Sequence, residues 1–233
     1  MNHYTACLTR HPKIVASVLV IGCPVTYLLY LHRSLSRTTS RTSKQGLLTE
    51  STSHSISSIP SSDLTSEYFM VHDRAYKSIP ASLFPALGQE ELLTTYLRHT
   101  LSLFSSRFPQ AYLIRMVSTP EEKRTFKHDY IRALDFKEGD LVCGAYRVAV
   151  RTKGKVEFEI KTMGIVKGGR MVISIEEKAD EWECSSETVM WKRVGEKSPM
   201  PLERGILKWS HELASWWLLD SGTRYLMGLK KQS

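Results

Sequence analysis

The spacing of hydrophobic and polar residues changes several times along the chain, and the first distinct pattern is an uncharged apolar run. Residues 14–31 read IVASVLVIGCPVTYLLYL, 18 consecutive residues without a charge, with Lys13 on one side and His32 and Arg33 on the other. A helix of that length is about 27 Å long, which is enough to cross the hydrocarbon core of a bilayer. The pattern therefore predicts a single-pass transmembrane anchor at 14–31, preceded by a short flank at 1–13.

Three other interpretations of this run compete with the anchor. A cleavable signal peptide has a shorter apolar core and a small-residue cleavage site. This run is longer than such a core, and the LHRSLSRT at its end contains no such site. A mitochondrial presequence fits the acid-free leader rich in Arg and Ser, but presequences are amphipathic and this run is apolar all round. A buried core helix would need a folded domain around it, whereas a polar tract follows. The membrane anchor is the favoured interpretation.

The next pattern is a polar tract rich in hydroxyl side chains. Residues 33–66 contain 12 Ser and 6 Thr, few aliphatic residues and no aromatic residue. Such a composition buries too little apolar surface to offset the entropy of folding. The sequence therefore predicts a disordered tether at 32–66.

A folded domain is predicted over the remaining residues, 67–233. Gln89–Phe108 and Leu202–Leu219 repeat apolar residues at helical spacing, which predicts two helices. Lys155–Thr162 alternates apolar and charged residues, which predicts a strand with one buried face. Further strands are predicted at Tyr68–Lys77, Ala111–Val117, Lys127–Asp135, Leu141–Arg151, Arg170–Ile175 and Trp182–Val194.

This order of elements predicts an α+β fold, in which a curved antiparallel sheet packs against one helix on its N-terminal side and a long C-terminal helix. The order resembles that of the START-like, or helix-grip, class, and the resemblance implies an apolar cavity between the sheet and the final helix. The NTF2-like cone is the alternative. Because that cone places its helices before most of its strands, the long final helix counts against it.

Charge is distributed unevenly along the chain and changes the picture of its partners. The net charge is +8, but residues 1–49 contain six basic residues and no acidic one, which leaves a net charge of only +2 for the rest. A near-neutral body argues against a nucleic-acid partner. Because more basic residues follow the apolar run than precede it, the C-terminal domain is predicted to be cytosolic. The endoplasmic reticulum is the favoured membrane, with the mitochondrion as the alternative.

Three stretches carry a second resemblance. DLVCGAYRVAVR at Asp140–Arg151, SETVMW at Ser186–Trp191 and HELASWWLL at His211–Leu219 resemble uncharacterised small fungal proteins that are often membrane-tethered. Some of those proteins are encoded among secondary-metabolite genes. The resemblance carries no functional residue over, and it implies only a lipophilic small-molecule substrate.

Tyr146 and Glu187 are the first two candidate catalytic residues, because strand alternation places both on predicted inward faces. Tyr146 would bring a hydroxyl into the core, where an ordinary hydrogen-bonded tyrosine is the competing interpretation. Glu187 shares a face with Val189 and Trp191, and burial would raise the pKa of its carboxyl enough for acid–base chemistry. The competing interpretation of Glu187 is a solvated strand carboxylate.

His128 and His211 are the other two candidate catalytic residues. His128 lies two residues from Tyr130 in a predicted strand, and histidine titrates near neutral pH. His211 begins HELAS on the final helix, where Ser215 replaces the second histidine of an HExxH zinc motif. A solvated strand end and a hydrogen-bonded helix histidine are the respective competing interpretations.

Trp191 and Trp209 are candidate substrate-binding residues. The chain has no GxGxxG, P-loop, GxSxG or paired-cysteine motif, so no cofactor and no metal site are predicted. These observations favour a membrane-anchored protein with a pocket for a lipophilic small molecule. It would be a cofactor-free cyclase, isomerase or dehydratase, or alternatively a noncatalytic binding module or a membrane-associated adaptor.

Overall fold

The computed structural model describes residues 23–53 and 56–231. The chain divides into two compact units between Thr38 and Thr39. The first half of the apolar run, residues 14–22, lies outside the described residues, and its second half belongs to helix α1, Cys23–Thr38. Within residues 23–53 and 56–231, no helix combines the length and the apolar character needed to cross a membrane.

The second unit is built on one open antiparallel sheet of seven strands, in the order β1-β2-β7-β6-β5-β4-β3. The strands are β1 Ser40–Leu47, β2 Tyr68–Pro80, β3 Leu141–Val142, β4 Tyr146–Arg151, β5 Lys155–Ile160, β6 Gly168–Lys178 and β7 Glu181–Arg193. The helices of this unit are α2 Glu50–Ser53, α3 Gln89–Arg107, α4 Pro109–Val117, α5 Pro120–Arg124, α6 His128–Ala133 and α7 Gly205–Lys230. The α+β class and the long C-terminal helix predicted from the sequence are thus confirmed.

The two faces of the sheet carry different side chains. Asp73 lies opposite Thr188 in the pairing of β2 with β7, and Ala75 lies opposite Ser186. We call the face with these residues the inner face. Helix α7 covers this inner face. The hydroxyl of Ser215 on α7 donates a hydrogen bond to the Ser186 hydroxyl of the sheet over 3.3 Å.

The outer face carries the alternate residues of the same strands. Its apolar part, Met70, Val172, Val189 and Trp191, packs under Leu48, Ile56 and Ile59. Leu48, Ile56 and Ile59 all precede β2 and form a second layer over this part of the sheet. The sheet is therefore buried on both faces.

Helices α3 and α7 pack closely against each other at Gly222. A Cβ atom at Gly222 would lie 2.2 Å from Cε2 of Tyr96 and 2.7 Å from Cγ2 of Thr100, both on α3. Only glycine allows this close approach of the two helices. Helix α7 continues through Gly222 to Lys230. The sequence leaves open whether Gly222 caps this helix or only interrupts it before Tyr225–Leu229, and in the structure the glycine is a packing position inside the helix.

The predicted tether at 32–66 is ordered over much of its length. Strand β1 pairs with β2 from Ser40 opposite Tyr76 to Leu47 opposite Phe69. Its side chains are almost all exposed, so composition alone made it resemble a disordered segment. An edge strand adds backbone hydrogen bonds to an existing sheet and does not need a hydrophobic face of its own.

Two predicted strands are helices. Ala111–Val117 lies within α4, which begins at Pro109, and proline is favoured at the first helical position because its φ already suits the helix. Lys127–Asp135 contains α6, of which only Ile131 is buried. Both segments are too short for the spacing of apolar residues to distinguish the period of a helix from the period of a strand.

Candidate functional site

A cavity of about 130 Å³ lies between the inner face of the sheet and helices α3 and α7. Most of its wall is apolar, and the polar side chains are few. Those polar residues are Tyr96, Thr100, Tyr146, Ser186, Thr188, His211 and Ser215. A mostly apolar wall with a few polar groups is the usual composition of a small-molecule site.

His211 is the titratable group of this wall with an acid–base partner. Its Nε2 atom lies 3.7 Å from Oδ2 of Asp73, a buried carboxyl on β2. Although 28% of the His211 side chain remains accessible, burial lowers the pKa of His211 to about 4. At neutral pH the imidazole is therefore uncharged.

The pKa of Asp73 moves in the opposite direction, to about 6. Burial is the largest cause, and the nearby charge of Glu212 adds to it. The positive charges of Lys208, His72 and Arg41 act the other way without cancelling the increase. Arg41 comes from β1, so the tract predicted to be a tether contributes to the electrostatics of the site.

Tyr146 contributes a hydroxyl group to the same cavity. Its ring packs edge-on against Phe104 and Phe158, with centroid distances of 5.8 and 6.5 Å. Burial raises the pKa of Tyr146 well above its usual value, so the hydroxyl stays protonated. No described residue forms a hydrogen bond with this hydroxyl, which leaves it as a donor for a molecule in the cavity.

Glu187 and Trp191 lie on the outer face, away from the cavity. Glu187 accepts a hydrogen bond from Nε of Arg74 and contacts Nε2 of His72, each over 3.1 Å. Trp191 is 1% exposed, and its Nε1 donates to Oδ2 of Asp63 over 3.1 Å. The structure therefore does not bring these two residues to this cavity, because strand alternation separates the two faces of a sheet without saying which face holds the cavity.

His128 and Trp209 do not line the cavity either. His128 is exposed and belongs to helix α6 instead of a strand. Trp209 is half-buried on α7, two residues before His211, the first residue of that helix to line the cavity. Of the six predicted site residues, the structure brings Tyr146 and His211 together in one cavity wall.

Asp73 is the functional candidate that sequence reasoning missed. In the stretch Val71, His72, Asp73, Arg74, Ala75, the carboxyl falls between two small apolar residues of the same strand face. A lone acidic residue on a buried face was the available signal. It was masked because His72 and Arg74 make the whole stretch look like a solvated strand.

Cys143 and Cys184 are buried and form no disulfide bond with each other. Burial raises the pKa of each thiol to about 12, so neither forms a thiolate nucleophile at neutral pH. Within residues 23–53 and 56–231, no group of three or more His, Cys, Asp or Glu side chains is arranged to hold a metal ion.

Comparison with known proteins identified no significant match. No family model matches the chain, and no curated protein and no solved structure is significantly similar to it.

Proposed function

We propose that this protein binds a compact lipophilic molecule in the cavity between the sheet and helices α3 and α7, and transforms it by acid–base chemistry without a cofactor. The observation that carries the proposal is His211, which lines a mostly apolar cavity and whose Nε2 lies 3.7 Å from the buried Asp73 carboxyl behind it. A neutral imidazole beside a carboxylate is an arrangement suited to general-base catalysis.

The proposed reaction is an isomerisation or a related proton shift. His211 removes a proton from a carbon or hydroxyl group of the ligand, and the carboxylate of Asp73 stabilises the imidazolium that forms. The protonated hydroxyl of Tyr146 donates a hydrogen bond to the oxygen on which negative charge develops. His211 then returns the proton to another atom of the same molecule, so the step needs no oxidant, reductant or second substrate.

The size of the cavity limits the ligand. A volume of about 130 Å³ is close to that of an apolar cavity that accommodates one benzene ring. The enclosed part of the ligand is therefore a single ring or a short branched alkyl group. A larger lipophilic metabolite would have to leave its remainder outside.

The finer fold assignment and the location are part of the same proposal. The order of strand, helices, antiparallel strands and long final helix supports a START-like architecture, whose cavity would lie where the cavity of this chain is. The uncharged run at 14–31 supports attachment to a membrane, with the catalytic unit in the cytosol. Two exposed side chains of α4, Leu113 and Met116, are also suited to contact with a lipid surface.

Binding is tested with p-cresol, a ring-sized probe that has one polar group. We expect saturating p-cresol to raise the melting temperature of the full-length chain by several degrees, because a ligand that binds only the folded state stabilises it. Ala214→Leu, which fills the cavity wall, should remove the increase. Ala86→Leu, on an exposed residue outside the cavity, is the matched control and should retain it.

Chemistry is tested with cyclopentanone in D₂O, since exchange of its α-protons requires only a base and a donor to the carbonyl oxygen. We expect NMR to show exchange above the buffer rate in the wild type and at least a tenfold loss in His211→Gln and in Tyr146→Phe. Binding of p-cresol without any exchange would reduce the function to noncatalytic binding. If the protein neither binds p-cresol nor accelerates the exchange, the proposal is refuted.

The membrane anchor is tested by extraction with alkaline carbonate. The full-length chain should remain in the membrane pellet, and Leu19→Arg should move it toward the supernatant, because a charge at the centre of a spanning helix costs about 3 kcal/mol. Extraction of the wild type by carbonate would contradict the anchor and leave the cavity proposal unaffected.

A further inference from the structure

A second concave surface lies on the side of helix α3 that faces away from the cavity. This surface, which we call the α3–α6 groove, has a volume of about 520 Å³, within the range of sites for small molecules. It is lined by Thr95, Arg98, His99, Ser102, Leu103, Ser106, Arg107, His128, Arg132 and Tyr225. The residues of α3 recur every three or four positions, so they form one continuous face of the helix.

The lining of the α3–α6 groove is strongly cationic. It contains three arginines and two histidines and no acidic residue from the part of the chain that the structure describes. Arg98 is partly engaged, because its Nε donates to the Leu134 carbonyl over 2.9 Å and its Nη2 contacts Asp135 over 3.1 Å. Arg107 and Arg132 form no ion pair with any residue in 23–53 or 56–231, and both are exposed to the groove.

The electrostatic effect of this lining is visible at His99. Its ring is stacked on Tyr225 with centroids 4.1 Å apart, and its Nε2 contacts the Ser221 hydroxyl over 3.2 Å. Burial is the first cause that lowers the pKa of His99, and the positive charge of Arg107 is the second. Asp135 offsets the charge of Arg98, so the positive charge of the groove comes mainly from Arg107 and Arg132.

The floor of the groove contains an unsatisfied polar group. The hydroxyl of Ser102 is buried, and among the described residues it has no hydrogen-bond partner. A buried donor without a partner is costly unless an acceptor is supplied. An anionic oxygen that enters the groove would supply it after a small rotation of this side chain.

We propose that the α3–α6 groove is a binding site for a phosphate group, carried either by a soluble metabolite or by a lipid headgroup. Arginine is the side chain best suited to phosphate, because its planar guanidinium donates two parallel hydrogen bonds and keeps its charge. Arg107 and Arg132 provide the charge, and the hydroxyls of Ser102 and Ser106 provide further donors. The site is separate from the cavity, since the two are lined by opposite faces of α3.

The site also gives His128 a place in the molecule. The sequence singled out this histidine as a catalyst, and the structure places it beside Arg132 in the cationic wall of the groove, one helical turn away on α6. Its role in the proposal is to add a donor to the anion, without a part in proton transfer.

The test measures binding of sodium pyrophosphate to the full-length chain in dodecylmaltoside micelles by isothermal titration calorimetry. We expect saturable binding that weakens at least tenfold in Arg107→Gln and in Arg132→Gln. Arg115→Gln changes an exposed arginine of α4 outside the groove and is the matched control with unchanged affinity. Absence of saturable binding, or equal affinity in all four proteins, would exclude a soluble phosphate as the ligand. If phosphatidic acid also fails to bind through the same arginines, the proposal is overturned.

A second arm of the experiment distinguishes the two sources of the phosphate. Micelles that contain 10 mol% phosphatidic acid present a phosphate monoester on a lipid, and micelles with 10 mol% phosphatidylcholine are the control. Competition by phosphatidic acid that requires Arg107 and Arg132 identifies a headgroup site, whereas pyrophosphate binding without such competition identifies a soluble phosphate. Failure of both probes refutes the site and does not affect the p-cresol test of the cavity.

Discussion

The two faces of the sheet bury carboxyl groups in opposite ways. On the outer face, Glu157 is 0% exposed and accepts hydrogen bonds from the backbone N–H groups of Ser57 and Ser58, over 3.0 and 2.7 Å. The ammonium group of Lys155 lies 2.6 Å away. On the inner face, Asp73 is almost as deeply buried, and its close partner is the His211 ring at 3.7 Å, beyond hydrogen-bond distance.

The pKa values of the two carboxyls follow this difference. Burial opposes ionisation of Glu157, but the hydrogen bonds from Lys155, Ser58 and Ser57 together outweigh it and lower the pKa. Burial raises the pKa of Asp73 to about 6 because no comparable set of donors faces it. A fully satisfied buried carboxylate holds a structure together, whereas an incompletely satisfied one remains available for chemistry. Glu157 is therefore expected to stabilise the fold, whereas Asp73 remains available for the proposed acid–base chemistry.

The largest expected effect breaks the outer network. Glu157→Ala should lower the free energy of unfolding of the full-length chain by about 3–5 kcal/mol, because it removes the carboxylate that accepts hydrogen bonds from two backbone N–H groups and pairs with Lys155. Urea denaturation followed by tryptophan fluorescence measures the loss. Glu159→Ala, on an exposed carboxylate of the same strand, should change stability by less than about 0.5 kcal/mol. Similar losses in both variants would contradict the role of the network.

The second prediction concerns pH and separates the two groups of the inner face. Because the pKa of Asp73 is raised from 3.8 to about 6, its contribution to stability falls as the pH rises from about 4 to 6. Because the pKa of His211 is lowered from 6.5 to about 4, its contribution rises over nearly the same window. In the wild type the two slopes largely cancel.

His211→Gln removes one of these slopes. Relative to the wild type, the variant should lose on the order of 3 kcal/mol of unfolding free energy between pH 4 and pH 6, since two pKa units correspond to about that amount. Urea denaturation at both pH values gives this double difference. His128→Gln, on an exposed histidine, should run parallel to the wild type, and a parallel profile for His211→Gln as well would refute the pairing.

The smallest effects come from deleting one hydroxyl on each face. Ser174→Ala on the outer face breaks the buried 2.8 Å bond between the Ser174 and Ser185 hydroxyls and should cost about 1–2 kcal/mol. Tyr146→Phe on the inner face removes a hydroxyl without a described partner and should change stability by less than about 0.5 kcal/mol. Thermal denaturation measures both, and a loss above about 1 kcal/mol in Tyr146→Phe would show that its hydroxyl is structural.

Long periodic segments were predictable because their pattern reports burial directly. Helix α3 was predicted as Gln89–Phe108 and is Gln89–Arg107, and the alternation of Lys155–Thr162 corresponds to β5, Lys155–Ile160. Short segments were not, since α4 and α6 have too few turns for their period to be distinct. Strand β1 was missed because the hydrogen bonds that hold it belong to the backbone and leave no trace in composition.

The sequence by itself determined the α+β class, the long final helix, and the placement of Tyr146 and His211 among candidate site residues. Tertiary structure alone decided which face of the sheet encloses the cavity. It places Glu187 on the outer face and Asp73 on the inner face, beside His211. The physical reason is that alternation along a strand is a local property. The number of hydrogen bonds that a buried carboxyl receives, by contrast, depends on segments far away in the chain, such as Ser57 and Ser58 beside Glu157.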